Sequence, residues 1–309
     1  METEDTRPLM VSVRCTVYNH EPYLRDCLNG FVMQKTNFRF EAIVHDDAST
    51  DGSAAIIREY AEKYPEIIKP IYETENQYSK HDGSLKRIMD EHTHGKYIAI
   101  CEGDDYWIDA EKLQKQVDFL EKHAQYSMCF HKVIEHYQDK SRIDSVFADT
   151  EERDYSGIEI YKEWIIQTAS ILIKEEVLDS EIYRKASLNY DFAFGDILIF
   201  LSSAATGKVR GLNEVMSVYR KHPGGMTSDV SFTNVKRNLK HNIAIYKVFG
   251  KQYKSIAKKK NSYEAYTLMR ISMNHNVFIS FKYFLLSLLY SPSVFYKRTK
   301  EFIYGNKRV

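Results

Sequence analysis

The sequence predicts an α/β fold, with a mostly parallel central sheet flanked by helices and a helical C-terminal extension. Three observations carry that expectation. Strand and helix signals alternate from residue 11 to about residue 123, an order that builds a parallel sheet covered by helices on both faces. The apolar strand runs open onto polar, helix-starting loops, which gathers the acidic motifs beyond the carboxyl edge of the sheet. Beyond residue 230 the apolar residues recur at intervals of three and four, the helical period.

The elements follow in order. Residues 11–17 read as a strand, followed by Tyr18-Asn19-His20-Glu21 and a helix carrying Leu24, Leu28, Phe31 and Val32 on one face. Residues 40–45 form a second strand that ends in Asp46-Asp47-Ala-Ser-Thr-Asp51-Gly52 and opens a helix at about 53–63. A strand near 67–72, a helix near 84–93, a strand at 97–101 and a helix at about 111–122 come next. The section 126–227 is more mixed: strand-like 128–134, polar 138–156, strand-like 169–173, then Asp196 ahead of an apolar helix at 197–205. Its Val218-Tyr-Arg-Lys-His-Pro-Gly-Gly-Met-Thr-Ser228 segment has the proline and glycines of a flexible loop. Phe232, Val235, Leu239, Ile243 and Tyr246 then mark a helix. The apolar run 277–290 is too short to span a bilayer and contains Lys282, and Ser291-Pro292 reads as the N-cap and first position of a short helix.

Bulk properties narrow the classes. A chain of 309 residues with 43% hydrophobic content can bury a substantial core as one large domain with an appendage or as two modest domains. The acidic start, Met1-Glu-Thr-Glu-Asp5, lacks the apolar segment of a secretory signal, so cytoplasmic residence is expected. Cys15, Cys27, Cys101 and Cys129 show no metal-like spacing, and Cys15 and Cys101 sit in apolar strand runs as small hydrophobes. Formal net charge is zero, yet residues 236–309 hold sixteen lysines and arginines against Glu264 and Glu301 alone. Such asymmetry points to an anionic surface.

The most informative segment is Ile98-Ala-Ile-Cys-Glu-Gly-Asp-Asp-Tyr-Trp107, an apolar run that opens directly onto Glu102, Asp104 and Asp105. Carboxylates crowded at a strand end are relieved by protonation, by hydrogen bonds or by a cation, and an oxygen-ligated divalent ion meets the need most directly. The same acids also suit a turn or a helix cap.

Four ordered segments, Thr16-Val-Tyr-Asn19, Asp46-Asp-Ala-Ser-Thr-Asp51, Gly95-Lys-Tyr-Ile-Ala99 and Glu102-Gly-Asp-Asp105, resemble the motifs of family 2 glycosyltransferases with the type A nucleotide-sugar-binding fold. The resemblance implies a catalytic domain over residues 1–229, with a donor-binding half at about 8–130 and an acceptor half at about 131–229, before a basic helical region at 230–309. It implies Asp104 and Glu102 as ligands of a divalent metal, Mn or Mg, with Glu102 one methylene longer than the family's commoner Asp and binding directly or through water. Asp105 is an alternative ligand or sugar contact. Thr16, Tyr18, Asn19, Glu21, Asp46 and Asp47 fall on the donor site, where one of the paired aspartates would accept the imide N–H of uracil; the 46–51 segment also suits a cap for the helix at 53.

Lys86, with Arg87 beside it, lies near a phosphate-contacting position of the family. Arg220 and His222 match a segment that folds over the donor, Arg220 on phosphate and His222 on phosphate or metal. Asp196 matches the acceptor base of inverting members and also suits the N-cap of its helix. The Gln-x-x-Arg-Trp signature of processive synthases is absent, which favours transfer of a single sugar. The implied function is an inverting, metal-dependent transfer from a nucleotide sugar, UDP-linked by expectation, to a carbohydrate or lipid-linked oligosaccharide in bacterial surface polysaccharide synthesis. Val277, Phe278, Phe281, Phe284, Leu285, Leu288 and Leu289 form an apolar stripe at helical spacing that suits either packing against the catalytic domain or, with the basic residues near it, peripheral attachment to an anionic membrane at the inner face; nucleic acid is not expected as a partner. A sugar-nucleotide nucleotidyltransferase, or an inactive membrane or nucleic-acid binding protein, is the alternative.

Overall fold

The computed structural model describes residues 5–189, 191–224 and 231–305. Positions 225–228 of the glycine-containing loop lie outside the described residues. In chain order the elements are β1 (Leu9–Val17), α1 (Leu24–Val32), β2 (Arg39–Asp46), α2 (Ser53–Lys63), β3 (Ile68–Tyr72), α3 (Ser84–Glu91), β4 (Tyr97–Ile100), β5 (Tyr106–Trp107), α4 (Lys112–Lys122), β6 (Tyr126–Tyr137), β7 (Ser145–Val146) and β8 (Asp154–Tyr155). Then come α5 (Gly157–Glu163), β9 (Leu172–Lys174), α6 (Glu176–Asp179), α7 (Glu181–Ser187), α8 (Asp196–Thr206), β10 (Lys208–Lys221), α9 (Phe232–Val248), α10 (Lys254–Ser272), α11 (Val277–Tyr290) and α12 (Pro292–Gly305). The strand expected at 169–173 is a tight 3-10 turn followed by β9, and the short helix expected after Ser291 runs fourteen residues.

The chain divides into two compact units, one of residues 1–156, 164–177 and 206–223, the other of 157–163, 178–205 and 224–309. All the strands belong to the first. They form one sheet in the order β3-β2-β1-β4-β9-β6-β10-β5, with β7 beside β6 and β8 beside β10. β1, β2, β3 and β4 run parallel, and β6 with β10 keeps that direction; β9 is antiparallel to both of its neighbours, β4 and β6. The sheet is therefore mostly parallel. β1 alternates, burying Val11, Val13, Cys15 and Val17 against a core completed by Leu24, Leu28 and Phe31 of α1, Ile56 and Ile57 of α2, and Leu113, Val117 and Leu120 of α4.

Register places the acidic motifs level with one another. Val17 at the end of β1 pairs with Asp46 at the end of β2. Beyond β4, Cys101 N–H donates to Arg14 O at 3.1 Å and Gly103 N–H to Thr16 O at 3.0 Å, which carries the 102–105 turn to the same edge.

The second unit is helical. α9 starts at the N-cap Ser231, whose side chain accepts from Asn234 N–H, and its Val235 and Leu239 pack with Ala265 and Leu268 of α10 and Tyr283 of α11. Tyr161 of α5 donates to Asn242 Oδ1 of α9 at 2.7 Å. α11 turns Ser280, Tyr283 and Ser287 inward, whereas most of its large apolar side chains face solvent.

Candidate active site

The loops after β1 and β2 are joined side chain to backbone. Asn19 N–H donates to Ser49 Oγ and Asn19 Oδ1 accepts from Thr50 N–H at 2.8 Å. His20 N–H donates to Ser53 Oγ, Glu21 N–H to Asp51 Oδ2, and Gly52 N–H to Glu21 Oε2 at 2.7 Å. Asn19 makes this possible in a left-handed conformation, φ 56°, which asparagine tolerates better than most residues. A Cβ on Gly52 would stand 2.5 Å from Glu21 Oε1, so any larger residue there would displace the Glu21 carboxylate. Asp51 Oδ1 accepts from Ser53 N–H at 2.9 Å, one residue ahead of Gly52, the N-cap of α2, which has no side-chain cap bond. Asn19 and Glu21 are thus occupied in shaping the loops; Thr16 is partly exposed at the end of β1, and the Tyr18 side chain is exposed.

Asp104 stands beside two imidazoles. Its Oδ2 lies 3.0 Å from His222 Nε2 and 4.0 Å from His20 Nε2. Burial alone would raise this carboxyl, but the His222 hydrogen bond and the charge of His20 outweigh it and hold it below the usual carboxylate range. Burial lowers His20. A Cβ on Gly103 would meet His20 Nδ1 and Val17 Cγ2 at 2.9 Å, so only glycine lets the turn approach this closely. Asp105 points inward: Oδ1 accepts from Arg220 N–H at 2.9 Å, Oδ2 has no hydrogen-bond partner, and burial, then Asp104 and Glu102, push its carboxyl up. Asp105 is a buried support whose ionisation burial opposes, while Glu102 stays partly exposed.

Arg220 ties these parts together. Its Nε donates to Asp104 O at 2.9 Å, Nη1 to Gln138 Oε1 at 2.8 Å, and Nη2 to Asp26 Oδ2 of α1 at 2.8 Å. Its guanidinium carbon stands 5.0 Å from the Tyr23 ring centroid and 4.9 Å from that of Tyr106. These bonds use all three guanidinium nitrogens.

The paired aspartates separate in role. Asp47 accepts Gln77 N–H at 2.6 Å and Tyr78 N–H at 3.0 Å, one on each oxygen, and so organises the segment after β3. Asp46 is equally buried, and its Oδ1 has no partner. Lys86 pairs with Asp90 one helical turn along α3, and Asp90 also accepts from Arg14 Nη1 at 2.8 Å.

Sequence reasoning passed over the support beneath the turn. Trp107 is buried, donates from Nε1 to Ala169 O at 3.0 Å, and packs edge-on against Phe31. Lys112 lies fully buried with Nζ 4.1 Å from the Trp107 ring centroid and 2.7 Å from Gln116 Oε1; burial lowers its ammonium to about 7. The lysine reads as an ordinary polar residue of an amphipathic helix, and no local signal marks its burial.

In the second unit, Asp196 begins α8 and its Oδ1 accepts Ile197 N–H at 2.8 Å. Burial outweighs this helix-end hydrogen bond and raises the carboxyl to about 6. The preceding segment is pinned by His241 of α9, which was also passed over. Ala193 N–H donates to His241 Nδ1 at 3.2 Å, and Phe192 and Phe194 set their rings edge-on to the imidazole.

Among the described residues, no group of three or more His, Cys, Asp and Glu side chains is arranged to hold a metal by itself. The donors nevertheless fit a divalent ion that takes one or two protein ligands and completes its shell with phosphate oxygens, because Asp104 supplies a partly exposed carboxylate and His222 an imidazole within 3.0 Å of it.

The crystal structure of S. aureus TarS 1–349 in complex with UDP-GlcNAc superposes with a TM-score of 0.65 over 96% of this chain and 92% of that one, at 15% identity. The sheet order and this superposition define the type A glycosyltransferase fold. The glycosyl transferase family 2 model matches residues 12–177, and the chain belongs to that family. The uncharacterized protein Rv1520 of Mycobacterium tuberculosis is 36% identical over 222 residues, 70% of this chain and 60% of its own length, so the chain spans less than two thirds of that relative. The UDP-Glc:alpha-D-GlcNAc-diphosphoundecaprenol beta-1,3-glucosyltransferase WfaP of Escherichia coli is 26% identical over 222 residues, 71% of this chain and 80% of its own.

Proposed function

We propose that this chain is an inverting, metal-dependent, non-processive glycosyltransferase that moves one sugar from a UDP-linked donor to a carbohydrate or lipid-linked oligosaccharide acceptor in bacterial surface polysaccharide synthesis, working at the inner face of the membrane. The observation that carries the reading is the 102–105 turn, held level with Asp46 and with Asp104 set against His20 and His222. The name of WfaP, a glucosyltransferase using UDP-Glc and a lipid diphosphate acceptor, supports the donor and acceptor classes.

Asp104 and His222 would hold the divalent ion, with Glu102 directly or through water; bound there, the ion neutralises charge on the departing diphosphate. Asp46 presents the unpartnered Oδ1 to the uracil imide N–H, and Tyr18 gives the nucleoside an exposed ring. Asn19, Glu21 and Asp47 keep the donor loops in shape, while Thr16 lines the strand end. Arg220 and Asp105 hold the turn, Arg220 through three of its five guanidinium N–H groups, and the second N–H on each Nη would serve a phosphate oxygen without loss of those bonds. Lys86 pairs with Asp90 and would turn from it to reach phosphate. Asp196 removes the acceptor hydroxyl proton, a task favoured by a carboxylate made more basic through burial.

Screening nucleotide sugars for slow hydrolysis, with and without a chelator, tests this reading. UDP-sugars should be turned over and the chelator should stop it. Absence of turnover across UDP-, GDP-, CDP- and dTDP-sugars by folded protein, with no nucleotide binding by calorimetry, would overturn it.

A further inference from the structure

The outer face of α11 is inverted for a water-soluble helix. Its buried positions are Ser280, Tyr283 and Ser287, whereas Val277, Phe278, Phe281 and Leu289 are 69%, 84%, 60% and 77% exposed, with Leu285 exposed between them. At 100° per residue these five side chains occupy one continuous arc, with Lys282 at its edge. The arrangement is locked. Ser262 Oγ donates to Ser287 O at 2.8 Å, Ser287 Oγ to Ser262 O at 2.7 Å, and Ser280 Oγ to Met269 O at 3.0 Å. Rolling the apolar arc inward would break these three bonds and force large side chains into a seam built for serine. The sequence alone left core packing open for this stripe; the structure packs the opposite side.

We infer that the outer face of α11 docks on an anionic lipid bilayer, lying in the plane of the headgroups with its phenylalanines and leucines inserted. Fourteen residues give a helix about 21 Å long, and no helix among the described residues is long and apolar enough to cross a membrane. An in-plane position suits an apolar arc with basic flanks. Charge selects lipid over a second copy of the chain. Lys282 borders the arc, exposed Lys297 and Lys300 follow on α12, and residues 236–309 carry a surplus of fourteen positive charges. Two copies meeting through this region would bring like charges together, whereas anionic headgroups attract them. The inference deepens the proposed use of a lipid-linked acceptor by placing the enzyme where such acceptors reside, and it rests on that reading for its purpose but not for its physics.

The test is co-sedimentation of the full chain with vesicles of phosphatidylcholine mixed with phosphatidylglycerol, beside vesicles of phosphatidylcholine alone. Binding should require the anionic lipid and weaken with added salt. The combined variant Phe278→Ser, Phe281→Ser, Leu289→Ser should fall at least about tenfold in partitioning, because three large apolar groups no longer insert. Lys282→Glu, Lys297→Glu and Lys300→Glu together should bring anionic binding down to the neutral-vesicle level. Circular dichroism checks folding. Wild-type protein that ignores anionic vesicles, or a serine variant that binds as wild type does, overturns the inference. So does a wild-type dimer in light scattering that the serine variant converts to monomer without any vesicle binding. Donor hydrolysis without vesicles should be the same in wild type and both variants; its absence from all three would remove the catalytic reading while leaving the docking result intact.

Discussion

Replacing Asp196 by Asn separates a base from a cap, because the two roles move stability and rate differently. Burial raises the Asp196 carboxyl from 3.8 to about 6 in the folded chain. Below pH 3.8 the group is protonated whether the chain is folded or not, and the folded state keeps its full advantage. As pH rises through about 6 that advantage is lost, since the unfolded carboxylate ionises in water while the folded one ionises against burial. The difference is worth ~3 kcal/mol at most, reduced toward ~1 kcal/mol by water reaching the partly exposed side chain. Asp196→Asn should therefore gain ~1–3 kcal/mol at neutral pH, raising Tm by several degrees, and gain nothing near pH 3. Asparagine caps a helix about as well as aspartate, so the cap survives. Transfer should nevertheless fall by ~10²-fold or more, and the acid limb of the wild-type rate profile, centred at about 6, should be absent from the variant. Nucleotide release measured against pH, beside calorimetric unfolding of both proteins, reads all of this. Near-normal transfer by the Asn variant would refute the assignment and leave Asp196 as a cap.

Three further outcomes are expected. Asp104→Ala should abolish metal-stimulated turnover and sharply weaken donor binding, with Glu102→Ala milder; unchanged calorimetric affinity for UDP and metal in a folded Asp104→Ala protein would remove the ligand assignment. UDP should bind more tightly than CDP, and Asp46→Asn should erase the preference, whereas Asp47→Asn should chiefly lower Tm, since Asp47 holds two backbone N–H groups. Equal affinity of wild type for both nucleotides counts against reading of the uracil edge. Lys112 is lowered to about 7 by burial, so folding stability should rise as pH climbs from about 7 toward 10.5, where the unfolded lysine also loses its proton. Lys112→Met should flatten that rise in denaturant titrations at several pH values, and an unaltered slope would place the ammonium in water.

What could be read from the chain was what neighbouring residues decide among themselves. The parallel strands β1 to β4 announce themselves as apolar runs ending in turn chemistry, and the acidic motifs at 46–51 and 102–105 fall at the ends of β2 and β4. Pairings between distant segments leave no local mark. Nothing near Leu172 declares that a three-residue antiparallel strand will enter between β4 and β6, nor that Tyr106 and Trp107 will pair with Val218 and Ser217. Asp46 and Asp47 are identical in kind and adjacent, so their different tasks emerge only when Gln77 and Tyr78 come to one of them. Arg220 reads as a free cation until Asp26 and Gln138, far away in sequence, are brought to it. For α11, periodicity identified the stripe but not the side on which the neighbouring helix would pack.

The bonds exchanged between residues 19–21 and 49–53 make those two loops heritable as a pair. A chimera with its crossover anywhere between 22 and 48 would take one loop from each parent and mismatch the donors and acceptors that join them. Crossovers after α2 would carry the loops over intact. Substitutions in the first loop should accordingly be accompanied, in viable recombinants, by compensating changes in the second, although some thirty residues of chain separate them.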